Sequence, residues 1–559
     1  MYDFDVVVIG AGHAGIEAST AAARIGLKVA LITQQETDIG ALSCNPSIGG
    51  LGKTQLISEI DAFGGIMPYV ADLSSIHWRL LNSTHGAATQ ALRAQVDRKL
   101  YSQNMLSILN KYKNLSIIYE SVYDLDLNNK IVNHKILSKA IVITTGTFLN
   151  GLIHMGEDRI ESGRILEDNK YQKSDKNISK ILTEAGFPII RLKTGTPARL
   201  YKDSINYNIC EIQESDKEHD FFSGLTNINL NNKTINCYIT KTNEKIHNFI
   251  KDNIKYAPMY NGNITGTGPR YCPSLEDKVM KFPNHNSHHV FLEPEGLESN
   301  LVYPNGISTS FSKELQDKWI RMINGLENVE IARYGYAIEY DSIDPRMIKS
   351  TLESKDIPGL FFAGQINGTS GYEEAASQGL VAGANAAIYC YCLNSNKYLN
   401  LDRTNSMIGV MINDITTIGI NEPYRMFTSR SEYRLSLRSD NAIQRLGKIA
   451  LDLNLITKEE FDIKYSKKIN IIKDNDLIYS GYIDRNKREI ENYNKDKNIK
   501  IPEKFQYTNI PGLTNELIEK LSFTRPETIA DLSKIPGITP AGIMVVLRKI
   551  KLEKYNRLS

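Results

Sequence analysis

In the stretch GTGPRYCPSLEDK, residues 266–278, a single cysteine, Cys272, stands between an arginine–tyrosine pair and a proline. The thiolate is the nucleophile, and Arg270 with the N–H groups of a turn rich in glycine and proline would favour that form. The competing reading is the default for a free cysteine, a small buried hydrophobe. A second thiol, Cys44, lies in ALSCNPSIGGLGK, ahead of Gly49, Gly50 and Gly52. It reads either as a partner acting as acid, base or gate, or as a loop residue whose neighbours Asn45 and the glycines bind a cofactor. Cys210, Cys237, Cys390 and Cys392 have ordinary surroundings and read as structural. Six cysteines in 559 residues, none spaced C-x-x-C, argue against a disulfide scaffold, a zinc site or redox exchange, so no metal is expected.

Other ionisable groups divide less cleanly. Glu276, Asp277 and Lys278 could position a substrate, but LEDK reads first as helix-surface charge. Glu373 and Glu374 could move protons beside a cofactor, or answer only to a helix dipole. Lys53 in GLGKT is like a phosphate loop, yet Ser47 stands where the first glycine of G-x-x-x-x-G-K-[ST] belongs and no strand is expected before it. GTP hydrolysis by this chain is therefore not predicted.

The elements that must carry these groups begin at the amino terminus. DFDVVVIGAGHAGIEASTAAARIGLKVALIT reads as strand, glycine turn, alanine-rich helix ended by Gly26, and second strand. Gly10, Gly12 and Gly15 satisfy G-x-G-x-x-G, with Ala11, His13 and Ala14 between them. The first glycine permits the turn, the second lets backbone approach a pyrophosphate, and the third packs helix on strand. Diphosphate would sit on the helix N-terminus. The acid that usually ends the second strand is missing: Thr33 and Gln34 stand there and Glu36 comes late.

Two later segments, KAIVITTGTFLNG (139–151) and GLFFAGQINGTSGYEEAASQGLVAGANAA (359–387), are strand-to-glycine-turn units. They resemble the returning segments of flavoproteins with two dinucleotide-binding domains, and so imply FAD. Gln365 stands where many such proteins have aspartate, and a helix from near Ala375 would point its positive end at the isoalloxazine. Close packing explains its small residues equally well.

Between about Lys193 and Phe282 the pattern lapses into polar, Asn-rich sequence, which predicts a smaller inserted domain. Beyond about residue 400 the chain turns helical. Arg430, Arg434 and Arg438 are four apart, so a helix would present them as one stripe, with Arg425 and Arg445 nearby and Phe427 and Tyr433 interleaved. That stripe suits RNA phosphates, with aromatic rings for stacking; a solvated or intersubunit face is the alternative. IPGLT (510–514) recurs as IPGIT (535–539), each expected to open a short helix. A net charge of +2 means that any nucleic-acid surface must be local. No apolar run reaches spanning length and acidic Asp3 and Asp5 do not fit a signal peptide, so a cytoplasmic location and no membrane association are expected.

Beyond the flavin segments, SCNPSIGGLGKTQLISEIDAFGG (43–65), RLKTGTPARL (191–200), GPRYCPSLEDKV (268–279), FLEPEGLESNLVYPNGISTS (291–310) and EPYRMFTSRSEYRLSLRSDNA (422–442) carry a narrower likeness. In order along nearly the whole chain, they resemble the tRNA uridine 5-carboxymethylaminomethyl modification family (MnmG/GidA). That resemblance implies an α/β fold: a Rossmann-like, glutathione-reductase-like FAD domain in two parts (1–195 and 283–398), an inserted α/β domain for NADH or substrate (196–282), and an all-α C-terminal domain (399–559). It implies FAD, NADH, methylenetetrahydrofolate as one-carbon donor, glycine or ammonium as amine, and tRNA as substrate. The expected partners are the GTPase MnmE, two of each subunit together, around a homodimer. Val122, Ser179, Gly268, Pro269 and Arg270 are implied cofactor contacts; Cys272 would add to C6 of uracil, so that C5 attacks a methylene unit. Against the family pattern, residues 468–481 look shortened. The runner-up is the folate- and flavin-dependent methyltransferase of the tRNA T-loop, which normally lacks the helical C-terminus. A third reading is an RNA-binding scaffold that keeps its flavin only structurally.

Overall fold

The computed structural model describes residues 2–227, 229–230, 232–271, 273–391, 398–496, 499–502, 505–508, 510–533, 535, 538 and 540–556. Cys272 and Cys392 lie outside the described residues.

The amino-terminal unit forms as its pattern requires. Strand β1 (Phe4–Ile9), helix α1 (His13–Arg24) and strand β2 (Val29–Thr33) pair in parallel, Val7 opposite Ala30, because strands buried on both faces need continuous apolar side chains. β1 is central: Ile136–Ile143 runs parallel on its other side, Leu115–Tyr119 lies outside β2, and Leu360–Phe362 pairs with Ile136–Ile143. The carboxyl ends of five parallel strands thus meet at one edge, where ligands of open α/β sheets bind.

The small-residue helix runs from Tyr372 to Tyr391, three residues earlier than expected. A Cβ at Gly379 or Gly383 would lie 2.0 or 2.1 Å from the carbonyl oxygens of Ala14 and Ala18. Its glycines therefore let it pack backbone to backbone on α1 while it also lies against the parallel sheet.

The inserted unit is larger than its sequence pattern implies. Arg199–Tyr201, Glu211–Gln213, Cys237–Lys241, His289–Pro294, Leu301–Asn305 and Ile331–Arg333 form one antiparallel six-stranded sheet. The boundary at 282 is thus corrected to about 333, since Tyr238 pairs with Leu292 across it. A separate core around Phe311, Trp319 and Leu292 supports this unit. Meanwhile part of the Asn-rich stretch returns to the first domain, where the N–H groups of Phe222 and Ser223 donate to buried Asp72 at 2.9 Å each. A four-stranded sheet containing Leu152–Met155, Ile189–Thr196 and Tyr336–Ile343 joins the two units.

The C-terminal region is helical, dominated by Lys458–Asp496. Helix α2 (Lys53–Ala62) is its anchor: Arg445 pairs with Glu59 at 2.9 Å and buried Lys464 with Asp61 at 3.1 Å. No helix among the described residues is long and apolar enough to cross a membrane.

Candidate functional site

The strand ends enclose a cavity of about 560 Å³. Residues 10–14, the 144–149 turn and 363–365 line it, together with Cys44, Pro269, Tyr303, Tyr372 and Arg425. Gly10 adopts φ +102°, and a Cβ there would lie 2.5 Å from the Thr144 carbonyl oxygen; one on Gly15 would lie 1.7 Å from the Gly10 oxygen. Gly12 meets nothing within 4 Å, so the backbone is bare toward the cavity. Gly12 caps α1 without a side-chain bond and no acid occupies the first turn, leaving the helix N–H groups for a ligand. Burial pushes the His13 imidazole down to about 3, so it is neutral, and its Nε2 and the Thr145 hydroxyl are buried without partners. These features fit a diphosphate-linked dinucleotide.

Gln34, Glu120 and Val122 line the end of the cavity beside β2; Glu36 does not, and accepts from Tyr119 instead at 3.4 Å. Asp38 stands near but is committed to Thr33, Arg164 and Gln172 at 2.9, 2.6 and 2.9 Å. The Ser179 hydroxyl donates to Asp341 at 2.6 Å, and its neighbours Asp175 and Ile178 line the cavity. Gln365 lines the cavity. Of the triplet before Cys272, Pro269 lines the cavity, Gly268 packs against Lys193, and Arg270 is exposed.

Cys44 is held on every side. Its N–H donates to the Tyr372 hydroxyl at 2.8 Å, its carbonyl accepts from Arg98 and from Arg199 (3.2 Å), and its Sγ lies 3.1 Å from the Tyr303 hydroxyl. Arg199 stacks over the Tyr303 ring at 4.6 Å and shares Glu295 with Arg98, at 2.7 and 3.0 Å. Burial would raise the Glu295 carboxyl, but the two guanidiniums hold it below the usual carboxylate range. Arg98, Arg199, Glu295 and Tyr303 were not singled out from sequence. Arg199, Glu295 and Tyr303 fall within 191–200 and 291–310, which carry the family likeness; Arg98 falls in neither.

The loop leading to Cys272 is anchored differently. Glu339 accepts from the N–H groups of Thr265 and Gly266 at 3.0 and 2.6 Å and from the Thr265 hydroxyl at 3.0 Å. Buried His154 contacts its other oxygen at 2.9 Å. Burial opposes ionisation of Glu339, yet these bonds and the nearby Arg191 bring it down to about 2.

Several expectations are corrected. Glu276 and Asp277 are buried rather than surface charges: Glu276 accepts from the Thr309 hydroxyl at 2.6 Å, and Asp277 from the Tyr260 hydroxyl at 3.1 Å, both tying the helix Leu275–Lys281 to neighbouring loops. Glu373 accepts the Gly49 N–H at 2.8 Å, and Glu374 takes Lys53 and the Met426 N–H (2.8 Å), so both brace loops. Short strand Ser47–Gly49 does precede Lys53, but it is antiparallel.

The arginines at 430, 434 and 438 do not share a helix: only a 3₁₀ turn, Thr428–Arg430, breaks the irregular path from 419 to 441. Arg438 is 0% exposed and neutralised by Asp440 and Asp476 at 3.0 and 2.6 Å, so it cannot meet RNA. Arg430 stacks on Tyr424 at 4.1 Å, Arg425 turns into the cavity beside Ser370, and Arg434 alone of the four is exposed. Ser and Asn turns among the basic residues override the four-residue spacing. Cys237 is buried and Cys390 is pushed up to about 12 by burial, as suits structural thiols. Thr514 of the first repeat caps Asn515–Thr524; most of the second repeat lies outside the described residues.

Known proteins resemble this chain over its whole length. The family model described as "Glucose inhibited division protein A" matches residues 5–392, and that for the "tRNA modifying enzyme MnmG/GidA C-terminal helical bundle" matches 489–558. A protein of Buchnera aphidicola subsp. Cinara cedri, "tRNA uridine 5-carboxymethylaminomethyl modification enzyme MnmG", is 44% identical over 631 aligned positions, covering 99% of this chain and 98% of its own. That span exceeds the 559 residues here, so part of the relative has no counterpart in this chain. Two crystal forms of Aquifex aeolicus GidA superpose with TM-scores of 0.84 and 0.83 at 41% and 40% identity, each covering 98% of this chain and 100% and 98% of their own.

Proposed function

The chain belongs to the MnmG/GidA family of flavin-dependent tRNA-modifying enzymes, and from that premise we propose that it builds a (carboxymethyl)aminomethyl group onto C5 of the wobble uridine. The one-carbon unit would come from methylenetetrahydrofolate, the amine from glycine or ammonium, and the reducing equivalents from NADH. A GTPase partner, MnmE, and a homodimer complete the proposal, with the cytoplasm as its location. The observation that carries it is a single cavity uniting a dinucleotide cradle, the thiol of Cys44 and Pro269, three residues before Cys272.

FAD would lie along residues 10–14, the 144–148 turn and Gln365, and when bound it supplies two-electron redox chemistry. The protein's own part is nucleophilic and positional. Cys272 as thiolate adds to C6 of uracil; the ring electrons move to C5 and O4, and C5 becomes nucleophilic enough to form a bond to an electrophilic carbon. Loss of the C5 proton and expulsion of the thiolate then restore the ring. Cys44, fixed by Arg98, Arg199, Tyr303 and Tyr372, supplies a thiol of its own to the cavity wall. The C-terminal helical match on 489–558 favours this reading over T-loop methylation.

The test is mass spectrometry of tRNA nucleosides from cells with and without the protein. Loss of a wobble 5-aminomethyl-type nucleoside is expected. Loss of T-loop methylation, or no change, would overturn the assignment.

A further inference from the structure

Tyr271, the residue before Cys272, is 43% exposed, yet its ring lies 4.3 Å from that of Phe427, centroid to centroid and tilted by 51°. The two rings come from segments more than 150 residues apart in sequence. Both segments are fastened just behind the rings. Glu339 holds Thr265 and Gly266, and Glu374 accepts the Met426 N–H at 2.8 Å. A Cβ on Gly52 would lie 2.6 Å from the Met426 oxygen and 2.7 Å from Phe427 Cα, so the glycine loop of the cavity presses against the same segment.

The surroundings combine apolar surface with positive charge. Pro269 and Arg425, each two residues from a ring, line the cavity, as does Leu51, which is 43% exposed. Arg270 lies 5.9 Å from the Tyr271 ring, and Arg430 and Arg434 follow Phe427 in sequence. Here a half-exposed tyrosine pairs with a half-buried phenylalanine beside the cavity that holds Cys44, with cations on both flanking segments.

We propose that Tyr271 and Phe427 form a stacking subsite for the extruded pyrimidine, receiving its face as the base enters toward Cys272. Unstacking a base from an anticodon loop removes favourable ring contacts, and aromatic side chains restore them without demanding a sequence. The sequence offers Phe427 and Tyr433 as rings for stacking; Tyr433 is buried, and Tyr271 takes its place. The proposal rests on the tRNA reading above and names the part of the protein that meets the base itself.

The experiment uses the flavin-loaded full-length protein and a spectroscopic reporter. Trp78 and Trp319 are 1% and 0% exposed, so an added surface tryptophan can be read against a quiet background. Tyr271→Trp is titrated with an unmodified tRNA transcript and with the same transcript lacking only its wobble base. Quenching by the first and its loss with the second is the expected result; equal responses, or none to either while the tRNA still binds, would overturn the subsite. Phe427→Trp provides the same reading should the first variant fail to fold. In parallel, Tyr271→Ala is expected to reduce modification by about tenfold or more with flavin content unchanged, and Tyr271→Phe to restore most of it. Full activity in Tyr271→Ala would also refute the subsite. If wild-type protein leaves the wobble uridine unmodified, the broader reading fails instead, so the two failures are distinct.

Discussion

The two cysteine-bearing loops are built by opposite means. The Cys44 loop is tied at its own N–H, carbonyl and sulfur, by Tyr372, two arginines and Tyr303. The loop before Cys272 is tied at its base, where Glu339 gathers three donors, while Tyr271 at its far end stays half-exposed. One loop is fixed in the wall of the cavity; the other leaves the joining sheet, where Thr267 bridges Leu192, and reaches the cavity at Pro269. A group that must stay beside a resident cofactor is best immobilised outright, whereas a group that must admit a nucleotide needs an anchored base and an accessible tip.

The comparison is most severely tested at the thiol itself. Cys272→Ser is expected to remain yellow, folded and tRNA-binding but to lose modification altogether; full activity would remove the nucleophile from this loop. Next in size is Glu339→Ala, which leaves the Thr265 and Gly266 N–H groups and His154 without their acceptor. A stability loss of about 3 kcal/mol by denaturant titration is expected, with activity falling further than flavin content. An unperturbed variant would show that the anchor is not needed.

The same carboxylate gives a pH signature. Its folded pKa is held near 2, below an ordinary value of 4.5, so its contribution to stability is complete above about 4.5 and drains away as pH falls toward 2. Acid unfolding of Glu339→Gln should accordingly lose part of the wild-type steepness in that window. Tyr303→Phe removes one hydroxyl from the Cys44 cage and should cost only about 1 kcal/mol in thermal or denaturant unfolding. A much larger loss would mean that the cage is less redundant than its many bonds indicate. Smallest is Arg434→Ala, expected to lower the slope of log affinity for tRNA against log salt by about one, without altering flavin content. An unchanged slope would make Arg434 a solvated surface residue.

Legibility in the sequence followed the distance between interacting residues. The β1–α1–β2 unit, its three glycines and the returning strands could be read because strand burial and glycine sterics act within a few residues or along one periodic segment. Boundaries in the inserted unit could not, because Tyr238 meets Leu292 and Arg199 meets Arg333 only through antiparallel pairing over long separations. The arginine spacing misled for a related reason: a four-residue interval marks one face only if a helix forms, and the chain from 419 to 441 does not form one.

By itself the sequence determined the dinucleotide cradle, since Gly10 and Gly15 leave no room for a Cβ and the need for that room is local. It also marked the thiols and the basic C-terminal segment as the places to look. Tertiary structure alone decided which charges vanish into the interior, as Arg438, Glu276 and Asp277 do, and which partners hold Cys44 and the loop of Thr265. A buried charge survives only where folding brings its counter-charge or its donors to it, and no local pattern of residues records where those partners will come from.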